Sequence, residues 1–190
     1  MTLVDVRSSP IERITPTGVK TRDAEYELDT LVFATGFDAM TGPMLDIDIR
    51  GRDGLALSKK WAVGPRSFLG LMTAQFPNLF IITGPGSPSV KTNMVCHIEP
   101  HVDWIADCID HLVQAGIGTI ETPRDKEDAW VQHVNAVADA TLYPLADSWY
   151  TRANIPGKPR VFMPYVGGMD KYKEFCDRET DTRYQSFVLS

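Results

Sequence analysis

The sequence predicts an α/β fold, and three observations carry that reading. Short β-branched runs separated by turn residues open the chain, two continuous apolar runs each end on Thr-Gly, and helical periodicity governs the stretches near 98–115 and 123–142. With 190 residues, 43% hydrophobic and 23% charged, the chain has globular composition and length for one domain or somewhat more.

In chain order, Leu3–Val6, Ile11–Ile14, Val19–Thr21 and Tyr26–Leu28 read as strands of a β-meander, with Thr15-Pro16-Thr17-Gly18 as a turn. Leu31–Ala34 and Leu79–Ile82 are apolar at every position, the pattern of strands buried on both faces. The stretch between them carries Trp61 and Phe68–Leu71 among Gly and Pro residues and reads as mixed hairpin and loop. From Ile98 the apolar positions Ile98, Val102, Ile105, Ile109 and Leu112 recur at helical spacing, and Gly116 supplies the stop. Thr122-Pro123-Arg124-Asp125 resembles an N-cap followed by Pro at the first helical position, opening a helix to about Leu142 with Trp130, Val134 and Val137 inward. Beyond it lies a turn-rich stretch, Asp147–Pro159, then a strand at Val161–Met163, a short helix at Lys171–Cys176 and a final strand at Phe187–Leu189.

Charge and cysteine usage narrow the function classes. A formal charge of −6, with no dense Lys/Arg run, argues against a nucleic-acid partner. Cys96, Cys108 and Cys176 form neither a disulfide framework nor a C-x-x-C pair, which fits a reducing cytoplasm. No basic leader or membrane-length apolar window occurs, so a soluble protein with no membrane partner is expected.

Four motifs bear on chemistry. Asp29–Phe37 is an acid, an apolar strand, then Ala-Thr-Gly-Phe; the glycine allows a ligand to approach the backbone, although a core strand ended by a turn accounts for the same pattern. Gly84-Pro85-Gly86-Ser87-Pro88-Ser89 mimics a dinucleotide fingerprint but has Ser89 at the third glycine, two prolines, and no strand-terminal acid about twenty residues on. It is therefore not a primary nucleotide site, though a loop entering a helix N-terminus can still cradle an anion or a ring edge. His101, Trp104, Cys108 and His111 share a helix face, which reads as packing rather than as a metal site because no closing ligand set accompanies them. Trp149-Tyr150, ahead of Asn154-Ile155-Pro156-Gly157, serves either as a core anchor or as part of a lid over a flat ligand. No G-x-S-x-G elbow supports a hydrolase.

Taken in order, Asp29–Gly42, Trp61–Leu71, Phe76–Asn93, His101–Ile105 and Asp147–Met163 resemble the C-terminal third of type I Baeyer–Villiger monooxygenases, nearest the phenylacetone and cyclohexanone branch. The resemblance implies a flavoprotein of two dinucleotide-binding domains, incomplete in this chain, in which NADPH reduces FAD and one oxygen atom of O2 enters a ketone to give an ester or lactone. Residues 1–34 then close the NADPH-binding domain, and 35–190 form the C-terminal part of the FAD-binding domain with a lid loop at about 146–159. Position by position, the resemblance implies Thr35, Gly36, Phe37, Asn93 and Met94 toward FAD, Trp149 toward NADP, and Ser89, Val90 and Lys91 toward substrate.

Both glycine fingerprints, the catalytic arginine and the F-x-G-x-x-x-H-x-x-x-W motif of such enzymes are expected upstream of Leu3, in the missing N-terminal FAD and NADPH segments. No catalytic residue is therefore expected in this chain, which reads as a cut piece, a truncated frame or half of a split protein. With nothing to close upon, Tyr150–Asn154 is expected to be mobile or displaced. The alternatives are an inactive piece or association module, and a parent that oxygenates sulfides or amines.

Overall fold

The computed structural model describes residues 1–34, 36–90 and 92–190; the sequence expectations for Thr35 and Lys91 fall outside the described residues. It divides into two units, Met1–Gly36 and Phe37–Ser190.

The first unit is an antiparallel sheet of order β1-β2-β3, made of β1 (Ile11–Thr15), β2 (Gly18–Thr21) and β3 (Glu25–Glu27). Thr15 pairs with Gly18 across the two-residue turn Pro16-Thr17, as the turn residues predict. Val19 is buried opposite Tyr26, and Ser9 donates from Oγ to Thr21 Oγ1 at 3.0 Å beneath the sheet. Two expected strands do not form. Leu3–Val6 and Leu31–Ala34 have no ladder partners among the described residues, and Val32 and Phe33 stand exposed. An apolar run becomes a strand only when a neighbour takes its N–H and C=O groups, and composition cannot supply that neighbour.

The second unit carries two one-turn helices, α1 (Gly42–Leu45) and α2 (Leu57–Lys60), three longer ones, α3 (Met94–Ala115), α4 (Arg124–Asp139) and α5 (Met169–Asp181), and a two-stranded pair, β4 (Ile120–Glu121) with β5 (Val188–Leu189). Leu57, Trp61, Phe76 and Ile81 make a small core under the irregular region. The larger core joins Phe68–Met72 to Trp104, Cys108, Trp130, Val134, Tyr172 and Phe187. Leu79–Ile82 and Val161–Met163 again lack a strand ladder among the described residues. Scattered bonds hold them instead: Ile81 N–H to Leu71 O at 2.7 Å, Met163 N–H to Tyr150 O at 3.0 Å and Gly86 N–H to Met163 O at 2.7 Å.

Asn93 caps α3 by accepting the Val95 amide on Oδ1 at 2.9 Å, so the helix starts four residues before its apolar period does. Gly116 at φ 67° ends it, and the Ile117 amide returns to Leu112 O, a stop that needs the left-handed region. The apolar stripe is rotated from the one expected. His97, His101, Trp104, Cys108 and Leu112 face the core, whereas Ile98, Val102 and Ile109 face outward. The reason is α5, which offers polar partners to the first face: Trp104 Nε1–H donates to Cys176 O at 3.2 Å, and His101 Nε2 lies 2.7 Å from the Tyr172 hydroxyl. In α4 the expected inner residues Trp130 and Val134 are buried, joined by Glu127 and Ala138, while Val137 is half-buried. Pro123 rather than Thr122 occupies the cap position, and the helix ends at Asp139.

The His101 contacts determine its protonation. The Thr83 amide donates to Nδ1 at 2.9 Å, so Nε2 carries the hydrogen toward the Tyr172 oxygen, and the Tyr172 hydroxyl donates to Leu69 O at 2.6 Å. Burial pushes the His101 pKa down to about 4, with His97 beside it adding to the fall. The unfolded chain takes up this proton near the ordinary value of 6.5 and the folded chain only near 4, so stability is lost as the pH falls through that window. The loss should be on the order of 3 kcal/mol. Urea unfolding should show wild type above His101→Gln at neutral pH, with the gap narrowing toward acid; a constant gap would contradict a buried neutral imidazole.

Candidate functional site

The segment Gly84–Val90 is buried and held from three sides. The Gly86 amide donates to Met163 O at 2.7 Å, Trp130 Nε1–H to Gly86 O at 3.1 Å, and the Tyr165 amide to Ser87 O at 2.9 Å. Ser67 Oγ donates to Pro85 O and accepts the Gly70 amide at 3.1 Å. Gly70, at φ 70°, passes so close that an added Cβ would stand 2.6 Å from Ser87 Cβ and 2.9 Å from Gly84 O. The Gly86 and Ser87 amides thus bond within the protein, Ser87 N–H to Gly84 O at 3.1 Å, which leaves this loop a rigid platform rather than an anion cradle.

From the platform the chain runs into α3. Ser89 is buried, its Oγ lacking a partner among the described residues, and Val90 packs against Ala138 and Val166 with Tyr143, Tyr150 and Phe162 around them. Asn93 is exposed and Met94 partly so at the first turn of α3, where no acidic side chain is present. The positive end of a 22-residue helix is therefore free of a carboxylate from its own first turn.

Trp149 lies in a 3-10 turn, Trp149–Thr151, with its ring 4.1 Å from that of Tyr150. The lid segment is packed at Thr151 and Arg152. Thr151 and Arg152 are buried, Thr151 Oγ1–H donates to Ser148 O at 2.9 Å, and Tyr150 is tied through Met163 to the Gly86 platform. Short-range bonds within the loop hold it together with the Met163 contact, which its Gly and Pro content did not reveal.

The loop also grips the start of this unit. Asn154 Nδ2–H donates to Phe37 O at 3.0 Å, and Lys158 pairs with Asp38, whose other oxygen accepts from Thr41 Oγ1 at 3.0 Å. Burial opposes ionisation of Asp38, but Lys158, Thr41 and the field of Arg152 outweigh it and hold the carboxyl below its usual range. Sequence reasoning missed this clasp. Its signals are an acid just after Gly36-Phe37 and a lysine just after Gly157, which nothing local connects.

The structure thus gathers Phe37, Val90 and Trp149 with the 146–159 loop, and places Asn93 and Met94 at the next helix start. No hydrogen bond joins Asn93 or Met94 to the Trp149 turn among the described residues. Gly36 belongs to the first unit, at φ 93°.

The fold that holds this platform, the capped helix and the aromatic turn is shared with one part of solved flavin monooxygenases. The chain superposes on a closed crystal structure of cyclohexanone monooxygenase with a TM-score of 0.93 at 40% identity, covering 98% of this chain and 35% of that one. An oxidized steroid monooxygenase bound to NADP gives 0.87 at 46% identity, covering 99% and 35%. By sequence the chain is 40% identical over 189 residues to a Baeyer-Villiger monooxygenase of Pseudooceanicola batsensis, 99% of this chain and 34% of that protein. The chain is homologous along its whole length to about a third of a Baeyer–Villiger monooxygenase. No protein-family model matches it, and among the described residues no helix is long and apolar enough to cross a membrane.

Proposed function

We propose that this chain supplies the C-terminal part of an FAD- and NADPH-dependent monooxygenase that inserts one oxygen atom of O2 into a ketone, giving an ester or lactone. The observation that carries the reading is its end-to-end likeness, in sequence and in fold, to about a third of the ketone monooxygenases. The outward apolar face of α3, with Val95, Ile98, Val102 and Ile109 exposed, supports it, because a contiguous face of this kind suits cover by further polypeptide. The complete enzyme denotes this segment together with the two thirds its relatives carry besides.

In this reading residues 1–34 close the NADPH-binding domain and 35–190 complete the FAD-binding domain. The residues present fit a flavin: the acid-free first turn of α3 and the half-open Met94 offer a positive dipole end and an apolar contact, and the unpartnered Ser89 Oγ beside them offers a hydrogen-bonding atom to the substrate. When bound, FAD supplies oxygen activation and NADPH the electrons. Asn93 holds the first turn of α3 in place, and Met94, with Thr35, Gly36 and Phe37, borders the FAD. Ser89, Val90 and Lys91 border the ketone, Val90 through the packed cluster behind it. Trp149 covers the nicotinamide side and excludes water there.

Two preparations test this. The 190-residue chain incubated with FAD and desalted should retain little visible flavin absorbance and show no ketone-dependent NADPH oxidation, because the pyrophosphate-binding βαβ unit is expected elsewhere. The complete enzyme should hold FAD stoichiometrically and form ester. A complete enzyme that holds flavin yet oxidises no ketone would sink the proposal.

A further inference from the structure

Between α4 and α5, on the second unit, lies an open pocket of about 410 Å3 that the proposed oxygenation does not use. Its walls are aromatic. Trp130 and Phe175 meet edge to face at 5.1 Å, His133 lies 5.2 Å from Phe175, and Phe68 stands edge-on to Trp130 at 6.3 Å. Into this box the sequence sends a carboxylate, Glu179, from one turn beyond Phe175 on α5.

Glu179 is 6% exposed, and among the described residues its Oε2 has no hydrogen-bond partner and it forms no ion pair. Nε2 of His133, lining the same pocket, is also buried without a partner there. Burying a carboxylate beside aromatic rings is costly unless a donor or cation answers it, and native proteins seldom leave such a group unanswered. At the mouth stand Lys126 and Arg178, neither of them in an ion pair among the described residues; the Arg178 guanidinium sits 5.6 Å from the centre of the Phe175 ring. The charge pattern is therefore one negative group inside, two positive groups at the rim, and flat apolar walls between.

We infer that this pocket binds a small zwitterion of the α-amino-acid type, its ammonium on Glu179, its carboxylate between Lys126 and Arg178, and an apolar side chain against Trp130 and Phe175. A divalent metal suits the pocket less well, because aromatic walls add no ligand atoms and two rim cations repel it. A bare amine satisfies Glu179 but leaves the rim unanswered. Aromatic faces favour the ammonium as well as the apolar body. The inference does not rest on the proposed oxygenation and holds or fails separately from it.

Titration calorimetry on the complete enzyme decides it with three probes: L-phenylalanine, 2-phenylethylamine, which lacks the carboxylate, and 3-phenylpropionate, which lacks the ammonium. Phenylalanine should bind best and phenylpropionate worst. Glu179→Gln should weaken phenylalanine by about tenfold or more while ketone turnover stays unchanged. Lys126→Ala should erase the advantage of phenylalanine over phenylethylamine, and it keeps the test alive if the Gln variant folds poorly. Absence of heat from every probe, equal affinity in Glu179→Gln, phenylethylamine matching phenylalanine in wild type, or zinc binding that phenylalanine does not compete with would each overturn the inference.

Discussion

Replacing Glu127 by Ala should destabilise the second unit by about 3–5 kcal/mol, a large fraction of what a domain of this size possesses. Glu127 is 2% exposed and central to contacts that no local pattern announces. Its Oε1 accepts Thr73 Oγ1–H at 2.8 Å and the Ala74 amide at 2.9 Å, while its Oε2 pairs with Lys60 Nζ at 2.9 Å and lies 3.7 Å from Arg66 Nε. One carboxylate therefore fastens α4 to the irregular region 57–76. Truncation leaves the Lys60 ammonium, itself largely buried, without its counter-charge and the Ala74 amide without an acceptor. Glu127→Gln keeps an acceptor for Thr73 and Ala74 but not the charge, so it should fall between the two. Urea unfolding followed by tryptophan fluorescence measures this as a shift in midpoint at constant slope. A midpoint for the Ala variant equal to wild type would show the cluster to be decoration.

On the proposed function, Trp149→Ala in the complete enzyme should lower the ester formed per NADPH consumed severalfold and weaken NADP by about tenfold, with little effect on unfolding. The indole is 40% exposed and packs at a tilt against Tyr150, so one side is open to a ligand while the loop behind it has other anchors. Those anchors are the Thr151 hydroxyl on Ser148 O, the Asn154 amide on Phe37 O and the Lys158–Asp38 pair. Removing the ring leaves them in place, and this is why stability should hold while coupling suffers: water gains access to the reacting centre without the fold being lost. Oxygen uptake, NADPH oxidation and ester yield measured together give the coupling ratio. Wild-type coupling and wild-type NADP affinity in the variant would mean that Trp149 only packs on Tyr150.

Local elements were legible in the order of the residues. The period of α3 and its Gly116 stop, the Pro123 start of α4, the turn at Pro16-Thr17 and the succession of motifs along the chain all arise from interactions within a few residues, and such interactions are written in neighbouring letters. Even so, the apolar spacing of α3 did not show that Ile98, Val102 and Ile109 stay exposed while His101 and Trp104 turn inward, because the partners of those two come from Thr83 and from α5, distant in the chain. The remaining features were settled by how the chain folds back on itself. Leu31–Ala34 and Leu79–Ile82 look like buried strands but find no ladder among the described residues, Glu127 joins segments more than 50 residues apart, and Lys158 closes on Asp38 across 120. The physical reason is common to all three: hydrogen bonds and ion pairs between distant segments depend on where the chain returns in space, which residue type and local spacing leave open.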